Sequence, residues 1–322
     1  MKIAVIGTGS MGKKHVRVLK NIPEVNKIII SDINRKILED TSKRFGISKS
    51  YQNHLEMLKK EKPDGVIVAT PPGSHKKNVL DVIDAGINVL VEKPIAHTIG
   101  DAEEMIKSAE KKGVIFTVGH IERFNPVVTK IKDFIDNGGL SNIYLINTRR
   151  VGPFPKRLLG KVEGVLIDLA VHDFDIINYL GGKIKNIQSQ IIKSGKQEIY
   201  VKTLLDLENN IKASCEFSWI TPTRHRNIEV YGGAGMLKGD FYTQDVWFYE
   251  NSDFQSNPNF SETFLSSGLI NTGKIVKYPI YKQEPLLLEL TNFIKSIQGK
   301  DRILVKPEDA FLALKNVLNI MA

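Results

Sequence analysis

The sequence predicts an α/β protein with two parts: a doubly wound, parallel-sheet domain first, then an α+β domain built on a mostly antiparallel open sheet. Three observations predict this. Residues 1–120 alternate short apolar runs with helical stretches. A glycine-rich turn, Gly7-Thr8-Gly9-Ser10-Met11-Gly12, follows the first apolar run directly. After about residue 120 the runs alternate apolar with polar residues, as strands with one wet face do.

The elements of the first part follow in order. "KIAVIG" reads as a buried strand and Met11–Lys20 as the helix after it. "KIIISD" is a second strand, and residues 34–45 a helix stopped by Gly46. "DGVIVAT" is a strand, followed by a helix from Ser74, as its cap, to Ala85, with Gly86 beyond it. "INVLVEK" is the next strand, Asp101–Lys111 the next helix and "VIFTVGH" the last strand. Apolar runs separated by helices mean a parallel sheet covered on both faces. In the second part, "IYLINTRR", "NIQSQIIK", "YVKTLLDL", "IKASCEFSWI", "HRNIEVYG" and "DVWFYE" read as strands. One helix stands among them, "GVLIDLAVHDFDIINYLGG". The polar stretch over 251–274 reads as a long loop, and Pro285–Ile297 and Pro307–Met321 as closing helices. The expected domains are 1–120 and 121–322, with the last helices free to pack back on the first.

Composition narrows the classes. Of 322 residues, 42% are hydrophobic and 25% charged, an ordinary globular balance. Net charge is +9, but the lysines are scattered and the basic runs, such as Lys76-Lys77, are short. Neither a nucleic-acid tail nor a recognition motif is visible, so no nucleic acid is expected. No apolar run reaches bilayer length and no leader is recognisable. A single cysteine, Cys215, excludes an intrachain disulfide. A cytoplasmic protein is the expectation.

Several motifs carry chemistry. The G-x-G-x-x-G turn opens a helix after a strand, the context of a dinucleotide-binding Rossmann unit. Gly7 allows the turn, Gly9 lets a pyrophosphate approach, and Gly12 lets helix and strand pack. Asp32, twenty residues beyond Gly12, is placed for a ribose 2′-hydroxyl and would repel a 2′-phosphate. NAD is therefore expected over NADP; the alternative is that Asp32 caps the next helix. Ala69, Thr70, Pro71 and His75 would line the same crevice, with His75 either a cofactor contact or an exposed first-turn histidine. Glu92-Lys93-Pro94 ends a neighbouring strand, where Lys93 is either a cofactor and substrate contact or a solvated lysine. In the apolar helix, Asp168 and His172 share a face, with Asp175 and Tyr179 continuing it. They read as an acid/base pair, a satisfied core pair or, without further ligands in sight, a weak metal site; no metal is expected. Arg123, Arg150 and Arg157 are candidates for a diphosphate, with ion pairing as the alternative for Arg149 and Arg150.

Together these segments, with "VGHIERFNP" at 118–126 and "YKQEPLLLELTNFIKSIQG" at 281–299, resemble the Gfo/Idh/MocA family of NAD(P)-dependent oxidoreductases, which act mainly on sugars and inositols. "GHIERFNP", "RRVGPFPKR" and "DLAVHDFDI" are most similar to the branch that oxidises the 3-hydroxyl of UDP-N-acetylglucosamine. The resemblance implies NAD held by Gly7, Thr8, Gly9, Ser10, Met11, Gly12, Asp32, Ala69, Thr70, Pro71, His75, Glu92 and Lys93. It implies catalysis by Lys93, Asp168 and His172, a sugar or UDP-sugar substrate, and a homodimer or homotetramer; Arg123 and Arg157 are expected, on their own chemistry, to bind that substrate. An inositol or simple sugar dehydrogenase is the alternative within the family, and a non-catalytic dinucleotide sensor the alternative outside it.

Overall fold

The computed structural model describes residues 1–155, 164–251 and 273–321. The chain forms two compact units, one of Met1–Phe124 with Gln283–Ala322, the other of Asn125–Lys282.

The first unit starts with β1 (Lys2–Ile6), α1 (Ser10–Leu19), β2 (Lys27–Ser31) and α2 (Arg35–Phe45). It continues with β3 (Lys49–Tyr51), α3 (His54–Glu61), β4 (Gly65–Val68), α4 (His75–Asp84), β5 (Asn88–Glu92), α5 (Ile99–Lys112) and β6 (Phe116–Gly119). The six strands are parallel, in the order β3-β2-β1-β4-β5-β6. The order reverses between β1 and β4, so a crevice opens beyond their carboxyl ends, where open α/β sheets bind ligands. Strand β3 and helix α3 were not anticipated. The strand is an edge of three mostly exposed residues, with no apolar run to announce it. The helix buries only Met57 and Leu58, and its clearest signal is Asn53, whose side chain caps the amides of Leu55 and Glu56.

The second unit opens with α6 (Pro126–Asp136), β7 (Ile143–Pro153) and α7 (Val171–Gly181). Then come β8 (Ile184–Ser194), β9 (Gln197–Leu207), β10 (Lys212–Ser218), β11 (Ile220–Gly232), β12 (Gly235–Asp240), β13 (Asp245–Glu250) and β14 (Ile275–Tyr278). The eight strands run β14-β13-β12-β11-β7-β10-β9-β8. Among the described residues every pairing in this sheet is antiparallel except β7 with β10. Helices α6 and α7 pack on the sheet. Leu204 stays exposed between the buried Thr203 and Leu205, the mark of a half-covered sheet. The helix expected among these strands is α7; α6, ahead of them, was not anticipated, although it carries both start signals, Asn125 as cap and Pro126 at its first position.

Two closing helices, α8 (Pro285–Ile297) and α9 (Pro307–Met321), belong to the first unit. Leu286, Leu290, Phe293 and Ile294 of α8 join Ile3, Val5 and Ile67 in one core cluster. Ala310 and Leu314 of α9 join Ala4, Val66 and Val89 in the other. Side chains alternate along each strand, so the two clusters lie on opposite faces of the sheet, and the fully buried apolar residues of each closing helix join one of them.

Candidate active site

The glycine-rich turn is built by contact. Gly7 has φ of +87°, and a Cβ there would lie 2.8 Å from the Ala69 carbonyl oxygen. A Cβ on Gly12 would lie 1.9 Å from the Gly7 carbonyl oxygen, so α1 presses directly on the turn. Gly9 differs: nothing stands within 4 Å of its would-be Cβ. It precedes α1 as a cap with no side-chain bond, and Gly9 and Ser10 are exposed while Thr8 is buried and Met11 half-buried. The first amides of α1 thus face open space, the setting in which helix N-termini receive anions.

Asp32 ties that turn to the end of β2. Its Oδ2 accepts from the Thr8 amide at 2.7 Å and the Thr8 hydroxyl at 3.0 Å, and its Oδ1 from the Asn34 amide at 2.9 Å. The cap of α2 is Asn34, whose Oδ1 accepts from the Ile37 amide at 3.1 Å, so the capping alternative for Asp32 is excluded. Three donors occupy a carboxylate with about four lone-pair positions, which leaves capacity for a hydroxyl.

The next loops converge on His75. Its Nε2 is 2.8 Å from the Thr70 carbonyl oxygen and its Nδ1 2.9 Å from that of Pro94. The ring is fully buried, which rules out the exposed first-turn histidine. Burial also pushes its pKa down, against the bonds to Thr70 and Pro94. His75 therefore links the exits of β4 and β5, with Asn78 donating to the Thr70 hydroxyl at 3.1 Å. Ala69 is pinned by its amide bond to Ile6 at 2.8 Å, and Pro71 is exposed. Ser74 precedes α4 without a side-chain capping bond, a correction to the expected cap.

Glu92 and Lys93 follow at the end of β5, and the Lys93–Pro94 peptide is cis. The Glu92 side chain is 12% exposed, and its Oε1 lies 2.7 Å from Nε2 of the fully buried His15. Burial pushes the Glu92 pKa up; the bond and charge of His15, then Lys93 and His75, outweigh it and hold it below the usual range. Lys93 itself is half-buried. Sequence reasoning missed His15, although it stands three residues after Gly12 on the same helix.

In the second unit, Asp168 sits in a π-helical turn, Leu166–Ala170, that leads into α7. One-turn π segments recur at functional sites. Asp168 is 7% exposed and His172 half-buried. Asp175 is buried and Tyr179 half-buried on the same helix. Asp173, passed over in the sequence reading, bonds Arg150 at 2.5 Å, with the two side chains 1% and 2% exposed. Arg150 also lies over the Phe241 ring, so ion pairing is the observed role of this arginine. Arg149 pairs with Glu216 at 2.7 Å. In the first unit, Arg123 is 3% exposed and bonds Asp309 at 3.0 Å. Arg157 lies outside the described residues. Among the described residues no three His, Cys, Asp or Glu side chains gather as metal ligands do.

Comparison with known proteins bears on the same segments. Residues 1–120 match the model described as "Oxidoreductase family, NAD-binding Rossmann fold", and residues 128–238 match the C-terminal domain model of the same group. Myo-inositol 2-dehydrogenase of Thermotoga maritima is 25% identical, over 98% of this chain and 93% of its own. The NAD-dependent scyllo-inositol 2-dehydrogenase of Bacillus subtilis is also 25% identical, over 98% and 91%. Among solved structures, UDP-N-acetylglucosamine 3-dehydrogenase of Acidithiobacillus ferrooxidans superposes with a TM-score of 0.85 at 19% identity, over 99% of this chain and 96% of that one.

Proposed function

The chain belongs to the Gfo/Idh/MocA oxidoreductase family, and on that premise we propose that it is a dehydrogenase oxidising a secondary alcohol of a sugar nucleotide, with the 3-hydroxyl of UDP-N-acetylglucosamine as first choice. The observation that carries the dehydrogenase reading is the pairing of an NAD-type glycine turn with a lysine at the end of β5. NAD fits the residues present: Gly9 leaves its side open, the α1 amides face that opening, and Asp32 retains acceptor capacity. A carboxylate at this position favours NAD over NADP, because a 2′-phosphate would meet its charge.

NAD, when bound, supplies the hydride acceptor. The α1 N-terminus and the Thr8–Asp32 link would hold the pyrophosphate and ribose, with Ser10, Met11, Ala69, Thr70 and Pro71 around them. His75 acts on the cofactor site indirectly, by fixing the loops after β4 and β5. Lys93 would steady the oxygen of the developing alkoxide through its ammonium, an electrostatic role that grows as charge builds. His172 would take the hydroxyl proton on its imidazole, and Asp168 would orient that ring or bind a neighbouring hydroxyl. The choice of sugar rests on "GHIERFNP", "RRVGPFPKR" and "DLAVHDFDI". Arg157 is the arginine proposed for the diphosphate, since Arg123 and Arg150 already hold carboxylates. A second copy of the chain is proposed to cover the open face of the second sheet.

A second reading, an inositol dehydrogenase, is favoured by the two relatives that match along nearly the whole chain. NADH absorbance with purified protein, NAD and either UDP-N-acetylglucosamine or an inositol panel separates the two. NADH from the sugar nucleotide, with a ketone at carbon 3, supports the first choice. NADH from the inositols alone replaces the substrate and keeps the mechanism. NAD binding without turnover on a broad polyol panel overturns the dehydrogenase reading in favour of a sensor. No helix among the described residues is long and apolar enough to cross a membrane.

A further inference from the structure

In the second unit, one arginine stands on the helix-covered face of the sheet at the level where α7 begins. Register sets that level. Arg150 of β7 lies opposite Arg226 of β11 on one side and Phe217 of β10 on the other, and Phe217 lies opposite Val201 of β9. This row faces α7, because Arg150 bonds Asp173 and the Phe217 ring meets Phe174 edge-on, with centroids 5.9 Å apart. Two residues further along, the same face carries Gly152, Trp219 and Ile199. Trp219 extends the ladder through its amide bond to the Ile199 carbonyl at 2.9 Å, and its ring meets Phe154 at 5.1 Å. On β11 the register breaks here. Ile220 pairs with Pro153 and His225 with Val151, so residues 221–224 leave the ladder. Arg224 comes back over Gly152, where an added Cβ would lie 3.1 Å from Arg224 Cγ. The missing side chain of Gly152 thus makes a seat for the arginine stem, while the residue as a whole stays exposed.

Helix α7 runs against β7. Asp173 is level with Arg150, whereas a Cβ on Gly181, eight residues later, would meet Ile146 at 2.9 Å. The turn bearing Asp168 therefore stands beyond the Arg150 row. Five helical residues from Asp173 to Asp168 rise about 7 Å, and two strand residues from Arg150 to Gly152 also rise about 7 Å. Arg224 and Asp168 share one level on one face. Gly164 marks the same end: its carbonyl accepts from the Asp168 amide at 3.1 Å, and a Cβ on it would lie 1.8 Å from Glu198 Oε2 at the start of β9.

The neighbouring arginines are engaged. Arg150 holds Asp173, Arg149 pairs with Glu216, and Arg226 lies over the Tyr242 ring at 5.1 Å. Arg224 has no side-chain hydrogen bond or ion pair among the described residues. We propose that Arg224 is a substrate-binding residue that holds a phosphate of the substrate, with the diphosphate of a sugar nucleotide as first choice. The inference rests on the reading that the Asp168 end of α7 receives the substrate. A guanidinium fork matches paired phosphate oxygens. The Asp168 turn packs on β10, two strands from β11, which is about 10 Å across the sheet. With the reach of the arginine itself, a hexose carrying a phosphate fills that gap. The seat over Gly152 also limits the freedom lost when the guanidinium is fixed.

The test is binding to the full chain loaded with NADH, so that no turnover intervenes. UDP, glucose 6-phosphate and uridine are titrated calorimetrically into wild type, Arg224→Ala and Arg224→Lys. Arg224→Ala should weaken UDP about tenfold or more, the worth of a hydrogen bond to a charged group, with NADH affinity and Tm unchanged. Arg224→Lys keeps the charge without the fork and should fall between. Uridine, which has no phosphate, should bind all three proteins alike. An Arg224-dependent affinity for glucose 6-phosphate and not for UDP keeps the phosphate seat and makes the substrate a sugar phosphate. Equal behaviour of wild type and Arg224→Ala toward both phosphates, absence of binding included, overturns the proposal. A loss for uridine as large as that for UDP does the same. UDP held through Arg224 without NADH from any sugar nucleotide would count against the dehydrogenase proposal and leave this one standing. Turnover of inositols with phosphate binding indifferent to Arg224 would do the reverse.

Discussion

Two glycines of one turn should answer the same substitution in opposite ways. Gly12→Ala puts a Cβ 1.9 Å from the Gly7 carbonyl oxygen, whereas real Cβ atoms essentially never come within 3.0 Å of a heavy atom. The obstacle is backbone, so α1 must move away from β1 by about 1 Å rather than let a side chain rotate. Alanine gains about 1 kcal/mol in a helix over glycine, but overpacking costs about 1–3 kcal/mol. The clash is severe enough that the cost wins, and each kcal/mol lost lowers Tm by about 2–4 °C in a domain of this size. NAD affinity should fall as well, because the displaced helix carries the amides that face the pyrophosphate. Gly9→Ala has open space around its Cβ and φ of −67°, so Tm should stay within about 1 °C while NAD binding weakens at least tenfold. Calorimetric melting and NAD titration of both variants are the assay. Equal loss of stability in the two, or normal NAD affinity in Gly9→Ala, would refute the placement of the pyrophosphate.

Other variants test the remaining assignments. Lys93→Ala and His172→Ala should each lower turnover by about 10²–10⁴-fold with little change in NAD affinity, and near-normal rates in both would remove the proposed chemistry. Asp32→Ala deletes the acceptor of Thr8 and Asn34 and should weaken NAD and narrow its advantage over NADP; a wild type that already prefers NADP would contradict the reading. Arg150→Ala removes the guanidinium from the buried Asp173 carboxylate and should cost about 3–5 kcal/mol in a denaturant titration, while an apolar replacement of both residues should cost far less.

The parts legible in the sequence were those written as period or spacing. Parallel strands announce themselves as apolar runs, and the helices between them as capped stretches ended by Gly46 and Gly113, both in left-handed caps. The glycine turn and Asp32 followed from spacing. What escaped lacked such a signal or used one differently. Strands β12 and β14 are short, and glycines at Gly235 and Gly239 dilute the first of them. The partners of buried charges were also invisible, because they are set by packing. Arg150 and Asp173 are far apart in the chain, and nothing local says that they meet. His75 read as a surface or cofactor residue because its two carbonyl partners belong to loops joined only in three dimensions. Arg224 was passed over because a break in register, which no local pattern announces, sets it over Gly152.

The split of the first unit into two chain segments bears on how the protein is made. The strands bearing the dinucleotide turn are synthesised first, yet one face of their sheet needs Phe293 and Leu290 and the other needs Val305 and Leu314. Thr117 of β6 also donates to the Val305 carbonyl at 2.7 Å. A ribosome must therefore deliver all of Asn125–Lys282 before the sheet can be sealed. The half that is translated first is the half completed last, and until then its apolar faces stand open to chaperones and proteases.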